Sequence, residues 1–446
     1  MGGGLIQLAA IGAQNVYLTG NPQITFFVAV YKRHTNFSIE CIEQLFHGNS
    51  TFGKKVYCDI DRVGDLVSDM YLVVKLPKLI PKKTKDITQN SDDAIISWTN
   101  SIGHALIKSI DIEIGETVID RQYGIWMQIW SELTVNASKR DAFNSMIGKK
   151  DNFYNTLDSQ EENLYIPLYF WFCMNEGLAL PLIALQNHEV RVNLAIRDFN
   201  ELWVSNDNVF PEPVEITSCS LYVDYVFLDD TERKFFARNT HNYLITQLQI
   251  NSNALDTSII YKCNDDRDNC VRVDEDYIPQ NGEVLLRKSG PQDTSMVHLK
   301  FNHPVKELIW IIQTSDILTV GGGNDWFNFS SCAYGDGEQR DPLLRGKLII
   351  DGTDRMSDRD AKYYRLVQPY QRHTNVPVNN FIYVYSFGYH PEKFQPSGTM
   401  NFSRVDSSIM EIEVIEGITR PVMQMFATNY NILRIMGGMA GVIYNN

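Results

Sequence analysis

Hydrophobic and polar residues alternate with a period of two along much of the chain. The clearest runs start at Ile110, Val190, Leu221 and Ile412, where every second side chain is apolar. This period turns one face of each strand toward a core and the other toward water or a second surface. The 22 tyrosines and 22 phenylalanines favour the same structure, because aromatic side chains suit a pleated surface. The pattern predicts a chain built mainly of β-strands.

Helical periodicity is confined to short stretches. Tyr123–Val135 predicts a short helix with one apolar stripe, and Asp358–Val367 predicts another. The longest apolar stretch, Ile166–Leu185, contains two prolines and Glu176, so it predicts two buried strands and a turn instead of a membrane span. Long polar segments separate the strands, and the segment 136–163 predicts one such loop.

The two halves of the chain repeat one order of elements. Ile110–Arg121 and Leu348–Arg355 each combine an apolar strand, a glycine turn and an Asp-Arg pair. A predicted aromatic strand follows in each half, at Tyr165–Phe172 and Phe381–Phe387. The repeat indicates two copies of one β-domain, and strands at such spacing favour a sandwich or barrel. The joint is predicted in the charged stretch Leu228–Asn239.

The sequence thus predicts three parts: an N-terminal segment over 1–25, a first β-domain over 26–228 and a second over 229–446. Met1–Gly20 contains no Lys or Arg, so it lacks the charged start of a secretory signal. The seven cysteines are odd in number and form no Cys-x-x-Cys pair, which predicts free thiols in a reducing compartment.

Charge argues against general nucleic-acid binding. The chain has 40 basic and 54 acidic side chains, a net charge of -14, and therefore no excess cation to displace counterions from phosphates. The one dense basic group comprises Lys82, Lys83 and Lys85. It is either a local basic patch or a solvated loop, and we prefer the loop.

No motif for nucleotide binding or hydrolysis is present, and the nine histidines are scattered. The sequence predicts no catalytic residue, no cofactor and no metal site. One acidic segment, Asn264–Glu275, has the ligand spacing of a calcium-binding loop, but Asn269 stands where such loops need glycine. We prefer a solvated acidic loop and keep calcium binding as the alternative. The residues at ligand spacing are Asn264, Asp266, Asp268 and Glu275.

Five Asn-x-Ser/Thr sequons occur, and without a secretory signal they are expected to be chance matches. Asn136 and Asn328 are the two to test for glycosylation, because they fall in predicted loops. The segment Arg33–Asn36 recurs letter for letter as Arg372–Asn375, out of register with the domain repeat. The sequence alone gives no physical reason for that recurrence. The five sequons are at Asn36, Asn49, Asn136, Asn328 and Asn401.

The run Gly12–Glu40 resembles the start of the major capsid proteins of nucleocytoplasmic large DNA viruses, which build phycodnavirus-, iridovirus- and mimivirus-like particles. The resemblance continues through Pro396–Asp406 and Asn429–Gly441 and spans nearly the whole chain. The segments 136–163 and 263–289 fall where that family varies.

The resemblance implies an all-β double jelly roll: two eight-stranded antiparallel β-sandwiches in tandem, with a few short helices in loops. It also implies a structural protein that forms homotrimers. Three chains contribute six jelly rolls, so a trimer is a pseudo-hexagonal capsomer that can tile an icosahedral shell. The implied partners are neighbouring capsomers, minor capsid proteins and a penton protein. The implied location is the virion, with assembly in the host cytoplasm.

In this family the N-terminal segment lies toward the inside of the shell, near minor capsid proteins and an internal membrane. Met1–Gly20 is small, apolar and uncharged, which suits a clip or base contact, and a disordered terminus is the alternative. A membrane between shell and genome would leave an acidic subunit with no direct nucleic-acid contact.

A jelly-roll carbohydrate-binding or attachment protein of the virion surface is the alternative function. The aromatic loop residues Trp326, Phe327 and Phe329 could stack on sugar rings. The other interpretation, which we prefer, is a small core beneath the loop.

Overall fold

The structure is a computed structural model that divides into two compact units, Met1–Phe37 and Ser38–Asn446. In the described part of the chain, no helix is both long and apolar enough to cross a membrane. Backbone alone is described for 259–264, 271–273 and 283–288. The other described residues are 3–82, 96–151, 160–205, 210–255, 294–314, 324–332, 339–415, 418 and 421–444.

The N-terminal unit is made of short helical pieces. Helices α1 (Gly3–Ala9) and α2 (Val16–Thr19) flank a 3-10 turn at Ala13–Asn15. Asn15 accepts a hydrogen bond from the Gly12 amide at 2.9 Å. None of these helical residues is buried, so this unit has no core of its own.

The strands of the larger unit fall into two sets. The first set is β1 (Phe37–Leu45), β2 (Lys55–Asp59), β3 (Leu66–Leu76), β4 (Ile96–Trp98), β5 (Ile107–Ile114), β6 (Thr117–Gln122), β7 (Glu162–Pro167), β8 (Leu180–Pro181), β9 (Val190–Ile196), β10 (Trp203–Ser205) and β11 (Ser218–Leu228). The second set is β12 (His241–Ala254), β13 (Ile259–Asn264), β14 (Val271–Val273), β15 (Glu283–Lys288), β16 (Thr294–His298), β17 (Pro304–Gln313), β18 (Leu343–Ile350), β19 (Thr353–Asp354), β20 (Arg359–Asp360), β21 (Tyr383–Ser386), β22 (Met400–Asn401), β23 (Ser408–Val414), β24 (Val422–Met436) and β25 (Met439–Val442).

The two sets repeat the same strand order. In the first, the sheets run β1-β11-β3-β7 and β2-β9-β5-β6; in the second, they run β12-β24-β17-β21 and β16-β23-β18-β19. Each quartet matches its counterpart strand for strand in chain order, and two such antiparallel sheets make a jelly roll. The short strands β8 and β22 also match, since they pair with β3 and β17. The predicted double jelly roll is confirmed, whereas the domain limits at 228 and 229 stay a prediction.

The β5–β6 and β18–β19 hairpins have the same turn geometry, but the glycine stands at a different position in each turn. The β5–β6 turn uses Gly115 and Glu116, with φ of 56° and 66°. The β18–β19 turn uses Asp351 and Gly352, with φ of 48° and 74°. Two consecutive left-handed residues make the two-residue turn that fits strand twist. Gly115 therefore corresponds to Asp351, and the glycine of the second turn, Gly352, corresponds to Glu116.

The alternating runs form the cores as predicted. Ile110 and Ile112 of β5, with Leu221 and Val223 of β11, are fully buried in the first core. The second core is built in the same way and includes the fully buried Trp310 of β17. Each jelly roll thus has an apolar core between its two sheets, and the first core also takes in Ile245 and Leu433 from the second set of strands.

The helices of the larger unit lie between strands, and the predicted helix at Tyr123–Val135 is confirmed as α4. Short 3-10 turns accompany them at Ala137–Lys139, Glu176–Leu178, Leu182–Ala184, Phe199–Glu201 and Phe402–Arg404. The helices are α3 (Ile102–Leu106), α4 (Gly124–Thr134), α5 (Arg140–Ile147), α6 (Trp171–Met174), α7 (Asp230–Arg238) and α8 (Gln368–Arg372).

The second predicted helix was wrong at its start. Arg359 and Asp360 extend along β18 as strand β20, because their backbones pair with Gly346 and Arg345. The helical segment begins only after them, passes through a π turn at Tyr363–Val367 and ends with α8.

Two further predictions were wrong. The strand predicted at Tyr165–Phe172 ends at Pro167, because proline cannot donate to the sheet ladder, and Trp171 opens helix α6. The loop predicted over 136–163 contains helix α5, which ends at the left-handed Gly148. That glycine is a common helix stop and was the available signal.

Candidate assembly surfaces

Helix α4 joins the two jelly rolls. It follows β6 of the first jelly roll and packs on the outer face of the sheet β12-β24-β17-β21 of the second. The Trp126 and Phe426 rings lie 5.5 Å apart between centroids. We call this contact the helix junction. Its buried side chains are Ile125, Trp126, Ile129, Trp130 and Leu133 from α4, with Ile309, Ile311, Phe329, Ile382, Val384 and Phe426.

The end of α4 receives hydrogen bonds from the second jelly roll. The backbone N–H of Asn375 donates to the Leu133 carbonyl at 2.9 Å. Its side-chain Nδ2 donates to the Glu132 carbonyl at 2.8 Å. The last carbonyls of a helix have no partner within the helix, so Asn375 supplies donors to two of them. The Glu132 carbonyl also accepts a hydrogen bond from Arg140 Nη2 at 3.1 Å.

His373 forms a buried ionic cluster beside the helix junction. Its Nε2 lies 3.0 Å from Glu307 Oε2, and its Nδ1 lies 2.9 Å from Glu392 Oε1. Burial alone would lower the pKa of His373, but the two carboxylates outweigh it and raise the pKa to about 9. The Trp130 ring meets the imidazole edge-on at 6.4 Å. The repeated tetrapeptide at Arg372–Asn375 therefore has a structural role, which sequence reasoning missed.

Glu132 anchors the other side of α4 within the first jelly roll. Its carboxylate is nearly buried and pairs with Arg140 at 2.5 Å and with Lys149. It also accepts a hydrogen bond from Gln128 at 2.9 Å. Burial raises the pKa of Glu132, but Lys149 and Arg140 outweigh burial and lower it. Helix α4 is thus held by ion pairs on one side and by apolar packing on the other.

A narrow cleft runs along the helix junction. It encloses about 60 Å³ and is lined by Trp130, Tyr169, Lys306 and Glu392, among others. Lys306 is buried and donates to the Pro391 carbonyl at 3.0 Å. Sites for small ligands span roughly 300–1,000 Å³, so this cleft suits ordered water better than a sugar.

The equivalent sheet face of the first jelly roll is more exposed and carries tyrosines. The outer face of β1-β11-β3-β7 carries Tyr71 and Tyr222, whose rings stack at 6.0 Å, and Tyr165, which is 47% exposed. Asp69 and Asp224 lie on the same face, and burial, followed by the charges of Asp224 and Glu176, raises the pKa of Asp69. We call this the open sheet face.

The aromatic loop residues fill internal space. Phe329 is buried in the helix junction. Trp326 donates its indole N–H to the Glu201 carbonyl at 2.7 Å, and the Arg197 guanidinium lies 3.6 Å from its ring centroid. Phe327 packs against the same cores. This is the small core beneath the loop, and the sugar-stacking interpretation is not favoured.

The two sequons chosen for testing differ in environment. Asn136 is exposed and accepts a hydrogen bond from the Ser138 amide at 3.0 Å. Asn328 is half-buried and donates to the Cys332 carbonyl at 3.3 Å, while its sequon partner Ser330 is buried. That both sequons are chance matches stays a prediction, and Asn136 is the more accessible of the two for the test.

Some predicted features lie outside the described residues. Lys83, Lys85 and the side chains of Asn264–Glu275 are among them, so the preference for a solvated acidic loop over calcium binding stays a prediction. Where side chains are described, the structure holds no group of three or more His, Cys, Asp or Glu residues placed to bind a metal.

The whole chain matches viral shell proteins. Residues 25–229 match the family "Major capsid protein N-terminus" and residues 278–441 match "Large eukaryotic DNA virus major capsid protein". A major capsid protein of Pyramimonas orientalis virus is 38% identical over 471 residues, covering all of both chains. The chain belongs to the major capsid proteins of large eukaryotic DNA viruses. A second major capsid protein, from Paramecium bursaria Chlorella virus 1, is 33% identical over 484 residues with the same full coverage.

Solved capsid structures match this major capsid protein in fold. The quasi-atomic model of the PBCV-1 virus capsid gives a TM-score of 0.75 at 28% identity, covering 95% of this chain and 100% of that one. The Faustovirus major capsid protein gives 0.70 at 12% identity, covering 96% and 94%, which is a likeness of fold alone. This capsid protein is therefore a structural subunit of the virion shell, and the attachment-protein alternative is not favoured.

Proposed function

We propose that three copies of this chain assemble into a pseudo-hexagonal capsomer, and that capsomers tile the icosahedral shell. The strand-for-strand repeat of the two jelly rolls carries the proposal, since three chains then supply six similar blocks. A ring with this symmetry closes on itself and can pack into a flat lattice. Neighbouring capsomers and a penton protein complete the shell.

Light scattering on a sizing column tests the trimer. The expected mass is three times 51.1 kDa, unchanged on dilution, with a hexagonal outline in negative-stain images. A folded monomer at every concentration would contradict the proposal.

The N-terminal unit supplies the contact at the base of the capsomer. Phe26 is 87% exposed and Phe27 is 95% exposed, and Ile24, Val30 and Tyr31 are also largely uncovered. A continuous apolar segment of this kind marks an interaction site. Its proposed partners are minor capsid proteins on the inner side of the shell, close to the internal membrane.

Cross-linking of intact virions, read by mass spectrometry, tests this contact. Cross-links from Lys32 to minor capsid proteins are expected, and deleting residues 1–25 should leave the trimer intact. Cross-links from Lys32 only to outward-facing proteins would contradict the placement.

The described cysteines favour assembly in the host cytoplasm. Cys41, Cys58, Cys173, Cys219 and Cys332 are all free thiols. Such thiols persist in a reducing compartment. Thiol titration of denatured capsid protein from virions should find every cysteine reduced, whereas disulfides would indicate an oxidising route.

The subunit is proposed to act without catalysis and without direct contact to nucleic acid. Its net charge of -14 supports the second point, because phosphate binding needs excess cations. Retention of the trimer on a duplex-DNA column at low salt, compared with a basic control protein, tests it. Salt-sensitive retention of the trimer would contradict it.

A further inference from the structure

The second jelly roll has its own helical insertion at the position of α4. Helix α4 lies between β6 and β7, and the segment 361–372, which contains α8, lies between β20 and β21. Helix α4 buries its apolar stripe on a sheet within the same chain. The stripe on the second insertion is uncovered: Val367 is 41% exposed and Tyr370 is 81% exposed. Tyr363, four residues before Val367, is half-buried and packs against the second core, so the uncovered part of the insertion is Val367 and Tyr370.

The outer sheet faces of the two jelly rolls also differ in how far they are covered. In the second jelly roll, Ile309 pairs with Phe426 and with Val384 across the sheet, and all three are fully buried under α4. In the first jelly roll, the matching row is Tyr71 with Tyr222. That row belongs to the open sheet face, where both tyrosines are only half-buried and Tyr165 on the same face is 47% exposed.

We propose that the 361–372 insertion of one chain docks on the open sheet face of a second copy of this chain, in the way that α4 docks within the chain. The inference deepens the proposed trimer and rests on it. The contact joins two different surfaces, and such head-to-tail contacts close into a ring when the rotation permits. Contacts within chains and between chains would then alternate around the capsomer.

The chemistry of the two surfaces supports this pairing. The open sheet face carries Asp69 and Asp224 around its tyrosines. The insertion supplies Lys362, and the adjoining strand β20 supplies Arg359 beside Tyr363, with Asp360 between the two basic residues. The Arg359 guanidinium already lies 5.5 Å from the Tyr363 ring. Tyrosine-rich patches with matching charge are typical of specific interfaces. A helix of another protein could occupy the open sheet face instead. The test below distinguishes that partner from a second copy of this chain.

Two substitutions test the pairing through their combination. Tyr370→Asp disables the helical insertion, and Tyr165→Asp disables the open sheet face by adding charge to an acidic surface. Both side chains are exposed, so both variants should fold, which circular dichroism and thermal melting verify. Tyr57→Asp is the matched control, because Tyr57 is 40% exposed on the opposite sheet.

Each disabling variant alone is expected to be monomeric by light scattering, with the Tyr57→Asp control trimeric. An equimolar mixture of the two variants should form a dimer of twice 51.1 kDa, because one intact helix then meets one intact face. Three results would overturn the inference: disabling variants that remain trimeric, a control that also dissociates, or a mixture that stays monomeric. In each case a trimeric wild type would leave the proposed function unaffected. A wild type that never trimerises would overturn both.

Discussion

The imidazole of His373 and the carboxylate of Glu307 lie 3.0 Å apart, and neither side chain has any exposed surface. Such a pair is stable only while both partners keep their charge, because a buried charge without its partner is costly. The pair sits between α8 and strand β17, beside the end of α4. Its protonation therefore bears on how firmly the helix junction is held.

Stability should fall as the pH rises through the pKa of His373. The folded pKa is about 9 and the ordinary value is 6.5, so the contribution is complete below pH 6.5 and is lost by about pH 9. The difference corresponds to on the order of 3 kcal/mol. Thermal melting from pH 6 to 10 measures it, with His373→Gln as the reference for all other groups, including the neighbouring Lys306. Parallel profiles for the two proteins would contradict the assignment.

Acid should weaken the anchoring of α4 through Glu132. Its pKa is lowered in the fold, so the stabilisation is present above the ordinary value of 4.5 and is lost as the pH falls through the lowered pKa. Glu132→Gln should cost about 3–5 kcal/mol at neutral pH, because Arg140 and Lys149 then lose their partner. Urea unfolding at pH 7 and pH 4 measures both effects. A variant as stable as the wild type at pH 7 would show that the ion pairs contribute little.

Removing the Asn375 side chain should loosen the junction. Asn375→Ala removes one of the two donors to the Glu132 carbonyl and leaves Arg140 as the other, so the expected cost is about 0.5–1.5 kcal/mol, the net contribution of one hydrogen bond. Asn375→Asp should cost more, because a carboxylate would face the negative end of α4. Urea midpoints measure both, with the exposed Asn49→Ala as a control that is expected to change little. Equal midpoints for Asn375→Ala and Asn49→Ala would remove Asn375 from the junction.

A methyl group at the start of α4 should be poorly tolerated. A Cβ at Gly124 would overlap the His104 carbonyl oxygen and lie 2.5 Å from that of Ile107. Both are backbone atoms and cannot swing aside, so Gly124→Ala should displace α4 and lower the melting temperature by several degrees. Gly441→Ala is the matched control, since nothing lies within 4 Å of its added Cβ. Similar melting temperatures for the two variants would contradict the close packing.

Sequence reasoning recovered the elements that have a regular period. The alternation in β5 and β11 and the stripe in α4 are local patterns, and local patterns survive folding. It failed where pairing between distant residues decided the secondary structure. Arg359, for example, is in a strand because its backbone pairs with β18. His373 and Glu307 are 66 positions apart in the chain, so local periodicity could not predict that they form a cluster. Only the repeated tetrapeptide hinted that the segment mattered.

The covalent link between the two jelly rolls changes the thermodynamics of building a ring. The contact between α4 and its sheet forms at an effective concentration that the chain itself sets, whatever the amount of protein present. In the proposed capsomer, half of the helix-to-sheet contacts are therefore made before any molecules meet. Only three bodies, not six, lose translational freedom on association. The threshold concentration for assembly is then set by the intermolecular contact alone. A disruptive substitution in α4 would therefore destabilise every free subunit, whereas one at Tyr370 would affect only the association of subunits.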